Sequence, residues 1–267
     1  MDIPDDLIQL VQKARRVVVL TGAGISAESG IPTFRQAQTG LWAQYDPEEL
    51  AARSAFQRNP RLVWQWYAWR RQLVQQAAPN PGHLALAEWE RLVPEFTLIT
   101  QNVDGLHQRA GSQRVVELHG NLLRVKCFDH DHVAPTWEET ENPPRCAVCG
   151  SYLRPDVVWF GESLPAVGLH TAVTASRSAD VFLSIGTSSL VQPAASLPLE
   201  AKSNRIPLVE INPQPTPLTA ACNFALAGPA GGVLPELLFR CFGREGDSGN
   251  EREAGMGRGG HGRFPTQ

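Results

Sequence analysis

The stretch from Thr21 to Arg35 sets Gly22, Gly24 and Gly30 directly behind an apolar run, Val17-Val18-Val19-Leu20. Glycines there let a chain leaving a strand turn tightly and approach a pyrophosphate, whose charge is met by the N-terminus of the next helix. A Gly-x-Gly spacing alone would serve equally in an ordinary strand-to-helix turn. His119 follows a second apolar run and precedes Gly120. Its ordinary pKa near neutrality suits proton removal, although a lone histidine is more often packed or exposed. Five cysteines at 127, 146, 149, 222 and 241 form an odd, unevenly spaced set, three of them near histidine. That is no secreted disulfide framework, and in a reducing compartment it favours metal. Tyr67 and Arg70 stand three apart in a helical stretch, hence on one face. A guanidinium can hold a carboxylate in a bidentate pair and a phenol can add one hydrogen bond. The plain alternative is a solvent-facing helix surface, where both residue types are common.

Hydrophobic patterning supplies the elements that position these groups. Residues 5–14 are helix-forming, with Leu7, Ile8, Leu10 and Val11 on one face, and Val17 to Leu20 reads as a buried strand. Further apolar strands are expected at 97–100, 115–118, 181–185 and 207–211. Short apolar strands separated by helical stretches imply a parallel sheet covered on both faces, an α/β fold of Rossmann type. Residues 36–80 interrupt the first two strands with a loop and a helix from Pro60 to Gln76, while 122–155 has little periodicity but holds the cysteine cluster. The two insertions together suggest a small second module. The expected division is 1–33, 80–121 and 155–242 for the nucleotide-binding domain, and 34–79 with 122–154 for the helical, metal-bearing module. Residues 243–267 are rich in Gly, Arg and Glu with few large apolar side chains, and are expected to be a disordered tail.

The 267 residues suit one main domain with a smaller module, and 42% apolar with 19% charged residues is ordinary for a globular enzyme. A net charge of -3 provides no basic field for phosphate backbones, so nucleic acid is not an expected partner. The acidic start, Asp2, Asp5 and Asp6, and the absence of any apolar run near ~18 residues argue against a presequence or membrane span. A cytoplasmic location is expected.

Taken whole, Thr21 to Arg35 closely resembles the NAD-binding signature of the sirtuin family, and Thr100-Gln101-Asn102-Val103-Asp104-Gly105-Leu106-His107 resembles its second signature. The likeness continues through Glu117-Leu118-His119-Gly120, Leu153 to Glu162, Gly186-Thr187-Ser188 and Ile211-Asn212, and spans residues 5 to about 240. It implies an NAD-dependent protein-lysine deacylase of bacterial type that consumes NAD+ as co-substrate. Nicotinamide, O-acyl-ADP-ribose and free lysine would be its products.

Roles follow from that resemblance residue by residue. Asn102 and Asp104 would line the nicotinamide pocket, and His119 would be the general base toward a ribose hydroxyl. Gln101 would hold a ribose hydroxyl. Phe34 and Arg35, with Thr33, belong to a loop over the nicotinamide end, where Phe34 can shield the reactive sugar from water. Gly22, Ala23, Gly24, Glu28, Val103, Gly186, Thr187 and Ala230 complete the expected cofactor set with Ser188 and Asn212, which would touch phosphate or the adenosine ribose. Asn212 before Pro213 would serve equally as a turn residue. The acylated peptide would lie as a strand along Val158, Trp159, Phe160 and Gly161, recognised mainly through main-chain hydrogen bonds.

The family holds a structural zinc with two Cys-x-x-Cys pairs. Here Cys146 and Cys149 form one pair, but Cys127 is followed by His130 and then His132. The expected site is Cys127, His130, Cys146 and Cys149, an ordinary donor set for zinc. His132 could replace His130, and free thiols in a decayed site are the alternative. Tyr67 and Arg70 resemble the Tyr-x-x-Arg motif of the subclass (class III) active on succinyl- and malonyl-lysine, and Ala51 matches its small residue beside the acyl chain. A desuccinylase and demalonylase retaining deacetylase activity is therefore expected. Alternatives are mainly deacetylation, mono-ADP-ribosyl transfer from the same pocket, a non-catalytic NAD+ or peptide reader, and a dehydrogenase. Against the last, no acidic residue is placed here as in the ordinary dinucleotide fingerprint. The sequence carries no expectation of oligomeric state.

Overall fold

Alternate residues of the strand Arg16–Thr21 (β1) enter two different hydrophobic cores, Val17 and Val19 one, Val18 and Leu20 the other. A strand can be apolar at consecutive positions only when both faces are covered. The computed structural model describes residues 2–32, 45–138 and 141–243. Among these, β1, Glu95–Thr100 (β2) and Val115–Glu117 (β3) form a parallel sheet with Val181–Ile185 (β7), Leu208–Asn212 (β8) and Phe224–Ala227 (β9). The order is β3-β2-β1-β7-β8-β9. Successive strands step outward in opposite directions from β1, so a crevice opens between β1 and β7 beyond their carboxyl ends, where such sheets bind nucleotides.

Helices Asp5–Lys13 (α1), Pro81–Leu92 (α6) and Ala230–Phe242 (α10) cover one face through Leu7, Val11, Leu86, Trp89, Val233 and Leu237. Ala166–Ser178 (α8) and Leu197–Ser203 (α9) cover the other through Ala172, Leu197 and Ala201. Short helices Gly24–Ala27 (α2) and Leu106–Arg109 (α7) sit at the carboxyl ends of β1 and β2.

The first insertion forms Pro47–Leu50 (α3), Arg53–Arg58 (α4) and Pro60–Gln76 (α5). Asn59 caps α5 by accepting from the Leu62 N–H, with Pro60 in the first turn. Asn80 and Pro81 start α6 in the same way, and the His83 side chain completes a reciprocal capping box.

The region 122–155, with little periodicity in sequence, contains an antiparallel sheet: Gly120–Cys127 (β4) pairs with Val133–Ala134 (β5) and with Leu153–Val157 (β6). The second insertion thus adds a small sheet to the helices of the first. Helices α3–α5 pack on that sheet through Leu50, Phe56, Val63, Trp66, Tyr67, Leu122, Val157 and Trp159. No helix among the described residues is long and apolar enough to cross a membrane. The expected tail lies, apart from Gly243, outside the described residues.

Candidate functional site

The loop after β1 and the loop after β7 approach closely enough to exclude side chains. The Gly24 N–H donates to the Gly186 carbonyl at 2.7 Å, and a Cβ on Gly24 would stand 2.7 Å from that same oxygen. Gly22 is as confined, 2.8 Å from the Gly186 oxygen by the same measure. The glycines therefore knit two loops together at the crevice. Next to them, Thr187 organises two of the expected groups and its own loop: its hydroxyl accepts from Gln101 Nε2 at 2.9 Å and from the Ser189 N–H, and its carbonyl accepts from Asn212 Nδ2 at 3.0 Å. Ser188 is exposed beside it.

Beneath this surface lies a buried polar network. Ser26 Oγ donates to Asp104 Oδ2 at 2.7 Å and accepts from Asn102 Nδ2 at 3.1 Å. The second Asn102 amide hydrogen goes to the Gly22 carbonyl, leaving Oδ1 as its acceptor. The Leu106 N–H holds Asp104 Oδ1 at 2.9 Å. Burial raises the Asp104 pKa, against the opposing pull of the Leu106 N–H and the Ser26 hydroxyl. His83 accepts the Asn80 N–H at Nδ1, so its Nε2 carries the proton and faces Ser26 Oγ at 3.4 Å. Burial pushes the His83 pKa down to about 4, and burial followed by the neighbouring His83 lowers that of His107. Ser26, His83 and His107 were absent from the expected set. Ser26 and His107 lie within the two signature stretches, and the Asn-Pro cap is the signal that introduces His83.

His119 follows β3 and precedes β4. Its Nδ1 lies 2.9 Å from the Gln101 carbonyl. A carbonyl only accepts, so Nδ1 bears the hydrogen and Nε2 keeps its lone pair. Burial lowers the His119 pKa, partly offset by this bond, so the ring is neutral at pH 7. Gly120 has φ 78°, and a Cβ there would lie 2.1 Å from the Asp156 carbonyl, so only glycine lets β4 leave His119 at this angle. The His119 carbonyl accepts the Val158 N–H, and the Ala51 carbonyl accepts the Phe160 N–H, each at 2.9 Å. The segment 158–160 thus joins the histidine to the Ala51 cluster.

In that cluster Tyr67 is buried and its hydroxyl accepts Trp159 Nε1–H at 2.9 Å. Burial pushes the phenol up to about 12, so it stays protonated. Arg70 is half-buried, its guanidinium carbon 4.9 Å from the Trp66 ring centre and 5.6 Å from that of Tyr67. Burial lowers its pKa, while Tyr67 and Asp104 act in the opposite sense. Ala51, Tyr67 and Trp159 share one cluster with Val103 packed at its edge, Arg70 lies against the Tyr67 ring, and Phe160 is tied to Ala51 through its N–H.

Two expected cofactor residues stand apart from this convergence. The Glu28 carboxylate accepts the Gly231 N–H at 2.7 Å, capping α10, which begins at Ala230. Glu28 is exposed and acts there as a helix cap. Ala23 is half-buried between the two glycines. Thr33, Phe34 and Arg35 lie outside the described residues.

The cysteine cluster brings together Cys127, His132, Cys146 and Cys149, with ligand atoms all within 4.8 Å of one another. The fourth member is His132, which corrects the expected His130. The Cys127 N–H donates to the His132 carbonyl at 2.8 Å, making the two opposite partners at the end of the β4–β5 ladder. Opposed residues of an antiparallel pair share a face. His130 falls in the turn, its ring stacked on that of His132 at 5.4 Å. Cys127 Sγ is 3.4 Å from Cys149 Sγ, and Cys146 Sγ is 3.7 Å from His132 Nδ1. Tetrahedral zinc with sulfur ligands at about 2.3 Å separates them by about 3.8 Å, so the set fits the ion. Three thiolates and an imidazole would close the coordination shell of such an ion, as in structural sites.

The chain matches the family model described as the Sir2 family over residues 22–193. It is 56% identical over 205 residues to the NAD-dependent protein deacylase of Aquifex aeolicus, covering 76% of this chain and 85% of that one. With NAD-dependent protein deacylase 1 of Pseudomonas aeruginosa it shares 48% identity over 245 residues, covering 88% and 98%. Among solved structures, a Sir2 homolog–NAD complex matches with a TM-score of 0.85 at 48% identity, over 90% of this chain and 94% of the other. A Sir2–p53 peptide–NAD+ complex matches with a TM-score of 0.79 at 33% identity, over 89% and 98%. With more than half its length under that family model and relatives of such identity matched nearly end to end, the chain belongs to the Sir2 family.

Proposed function

We propose that this chain, an NAD-dependent protein deacylase of the Sir2 family, acts on lysines bearing succinyl or malonyl groups in preference to acetyl, which it also removes. The observation that carries this reading is the convergence of Tyr67 and Arg70 beside Ala51, next to the segment bonded to His119. A protonated phenol and a guanidinium suit a terminal carboxylate, and acetyl-lysine offers them nothing.

In the reaction the acyl oxygen attacks the anomeric carbon of the nicotinamide ribose as nicotinamide leaves, giving an alkylimidate. Asn102 would present Oδ1 to the carboxamide N–H of nicotinamide, with Asp104 held nearby by Ser26 and Leu106. His119 Nε2 would take the proton of a ribose hydroxyl as that hydroxyl attacks the intermediate, and water then releases lysine and O-acyl-ADP-ribose. Gln101 and Thr187 would steady the ribose, and Ser188 and Asn212 the phosphate or distal ribose. Phe34 would shield the sugar from water.

The same reading divides the chain into an NAD-binding domain of 1–33, 80–121 and 155–242 and a small module of 34–79 and 122–154. Zinc bound by Cys127, His132, Cys146 and Cys149 would hold the β4–β5 turn to the loop before β6. Partners are acylated lysines of proteins, presented as a strand along residues 158–161. Unpaired cysteines support a cytoplasmic location. A side-by-side assay of acetyl-, malonyl- and succinyl-lysine in one peptide, with and without NAD+, tests the whole. Preference for acetyl would overturn the acyl assignment, and ADP-ribosylated protein without O-acyl-ADP-ribose would favour mono-ADP-ribosyl transfer.

A further inference from the structure

We propose that Trp159 is a positioning residue for acyl specificity: its indole N–H occupies the acceptor side of the Tyr67 hydroxyl and thereby directs the phenol hydrogen toward the acyl carboxylate. The inference rests on the acidic-acyl reading above and deepens it.

Trp159 and Tyr67 are both buried, with Nε1 and Oη 2.9 Å apart. An indole nitrogen only donates, so in this bond the phenol oxygen must accept. The phenol hydrogen is left over, and among the described residues nothing accepts it. A buried donor without an acceptor is unfavourable, and a bound carboxylate beside Arg70 would satisfy it. The phenol therefore keeps a donor for a group that acetyl-lysine lacks.

The indole is itself immobilised. Arg154, buried, lies with its guanidinium carbon 3.4 Å from the Trp159 ring centre. It pairs with Glu162 at 2.6 and 2.9 Å and donates to the Val157 carbonyl at 2.7 Å. Glu162 Oε2 also accepts the Trp159 main-chain N–H at 2.9 Å. One carboxylate thus fixes the backbone of Trp159 and the cation against its ring, and the ring fixes Tyr67. A phenylalanine at 159 would keep an aromatic ring but supply no donor.

The test compares KM and kcat for succinyl- and acetyl-lysine in one peptide for Trp159→Phe, Tyr67→Phe, the double variant and Arg70→Met. Trp159→Phe is expected to raise KM for the succinyl substrate about tenfold more than for the acetyl one, as loss of an orienting hydrogen bond would. The double variant is expected to match Tyr67→Phe alone, because Trp159 acts through that hydroxyl. Equal KM changes on both substrates, or additive effects in the double variant, would overturn the proposal. Should Trp159→Phe fail to fold, a benzothienylalanine at 159, which replaces the indole N–H by sulfur, applies the same criteria. A succinyl-to-acetyl KM ratio unmoved by Arg70→Met defeats the acidic-acyl reading and this inference together. A ratio that Arg70→Met collapses and Trp159→Phe leaves intact defeats this inference alone.

Discussion

His119 Nδ1 lies 2.9 Å from the main-chain oxygen of Gln101, and this contact decides which ring nitrogen keeps its lone pair. The Gln101 side chain reaches Thr187 while its backbone fixes the histidine tautomer, so one residue orders both the Thr187 loop and the proposed base.

Replacing His119 by Ala removes that base and is expected to lower kcat by about 10²–10⁴-fold while leaving NAD+ binding largely intact. The wild-type pH profile carries the sign of the shift. Burial lowers the His119 pKa, so Nε2 stays available down to the ordinary histidine value and below it. Deacylation should be flat above pH 6.5 and decline only as the pH falls through the depressed value. A limb rising above pH 7.5 in kcat/KM would contradict this.

Arg70→Met is expected to weaken desuccinylation by about 2–5 kcal/mol, with a much smaller effect on deacetylation, because a charge-assisted contact is lost from only one substrate. Steady-state constants on matched peptides measure it. Equal loss on both substrates would remove Arg70 from acyl recognition.

Zinc content separates the two histidines of the cysteine cluster. His132→Ala should purify with well under one equivalent of zinc, whereas His130→Ala should retain about one, since only His132 stands opposite Cys127. Elemental analysis without added metal gives the answer, and the reverse pattern would reinstate His130.

Stability should fall in acid through His83. Its folded pKa, about 4, lies below the unfolded value near 6.5, so the unfolded chain binds the extra proton between them. The neutral ring's contribution is full above pH 6.5 and is lost progressively toward pH 4, on the order of 3 kcal/mol in all. Denaturant unfolding across that range should show the slope, and His83→Gln should reduce it, His107 and His119, also depressed by burial, supplying the remainder. An unchanged slope in the variant would place the acid sensitivity elsewhere.

What could be read in the sequence was what local patterning encodes. Strands β1, β2, β7 and β8 are visible because burial on both faces leaves mostly apolar runs, broken only by Thr97, Ser184 and Glu210, and α5 because Asn59-Pro60 announces its start. Strands β4 and β6 are not: Arg124 and Asp156 interrupt them, and their register shifts between Asn121 and Val125. β9 alternates with exposed Ala225 and Ala227 and gives a weak signal. The motif residues were legible as types, but their convergence depended on the sheet. His132 displaced His130 because Asp131 adopts φ 53° in the turn, a left-handed residue that spacing does not reveal. The Ser26–His83–Asp104 network joins three distant segments, and only Asp104 among its members carries an expected role.

The N–H groups of Val158 and Phe160, two residues apart, are tied to His119 and Ala51. A peptide laid along that segment would have its backbone fixed at one height above the base and the acyl cup. The site then works as a ruler for side-chain length: an acylated ornithine, one methylene shorter than lysine, would hold its carbonyl short of the ribose however well its neighbours fit. Tolerance of peptide sequence and intolerance of chain length would be two results of one rigid strip of backbone.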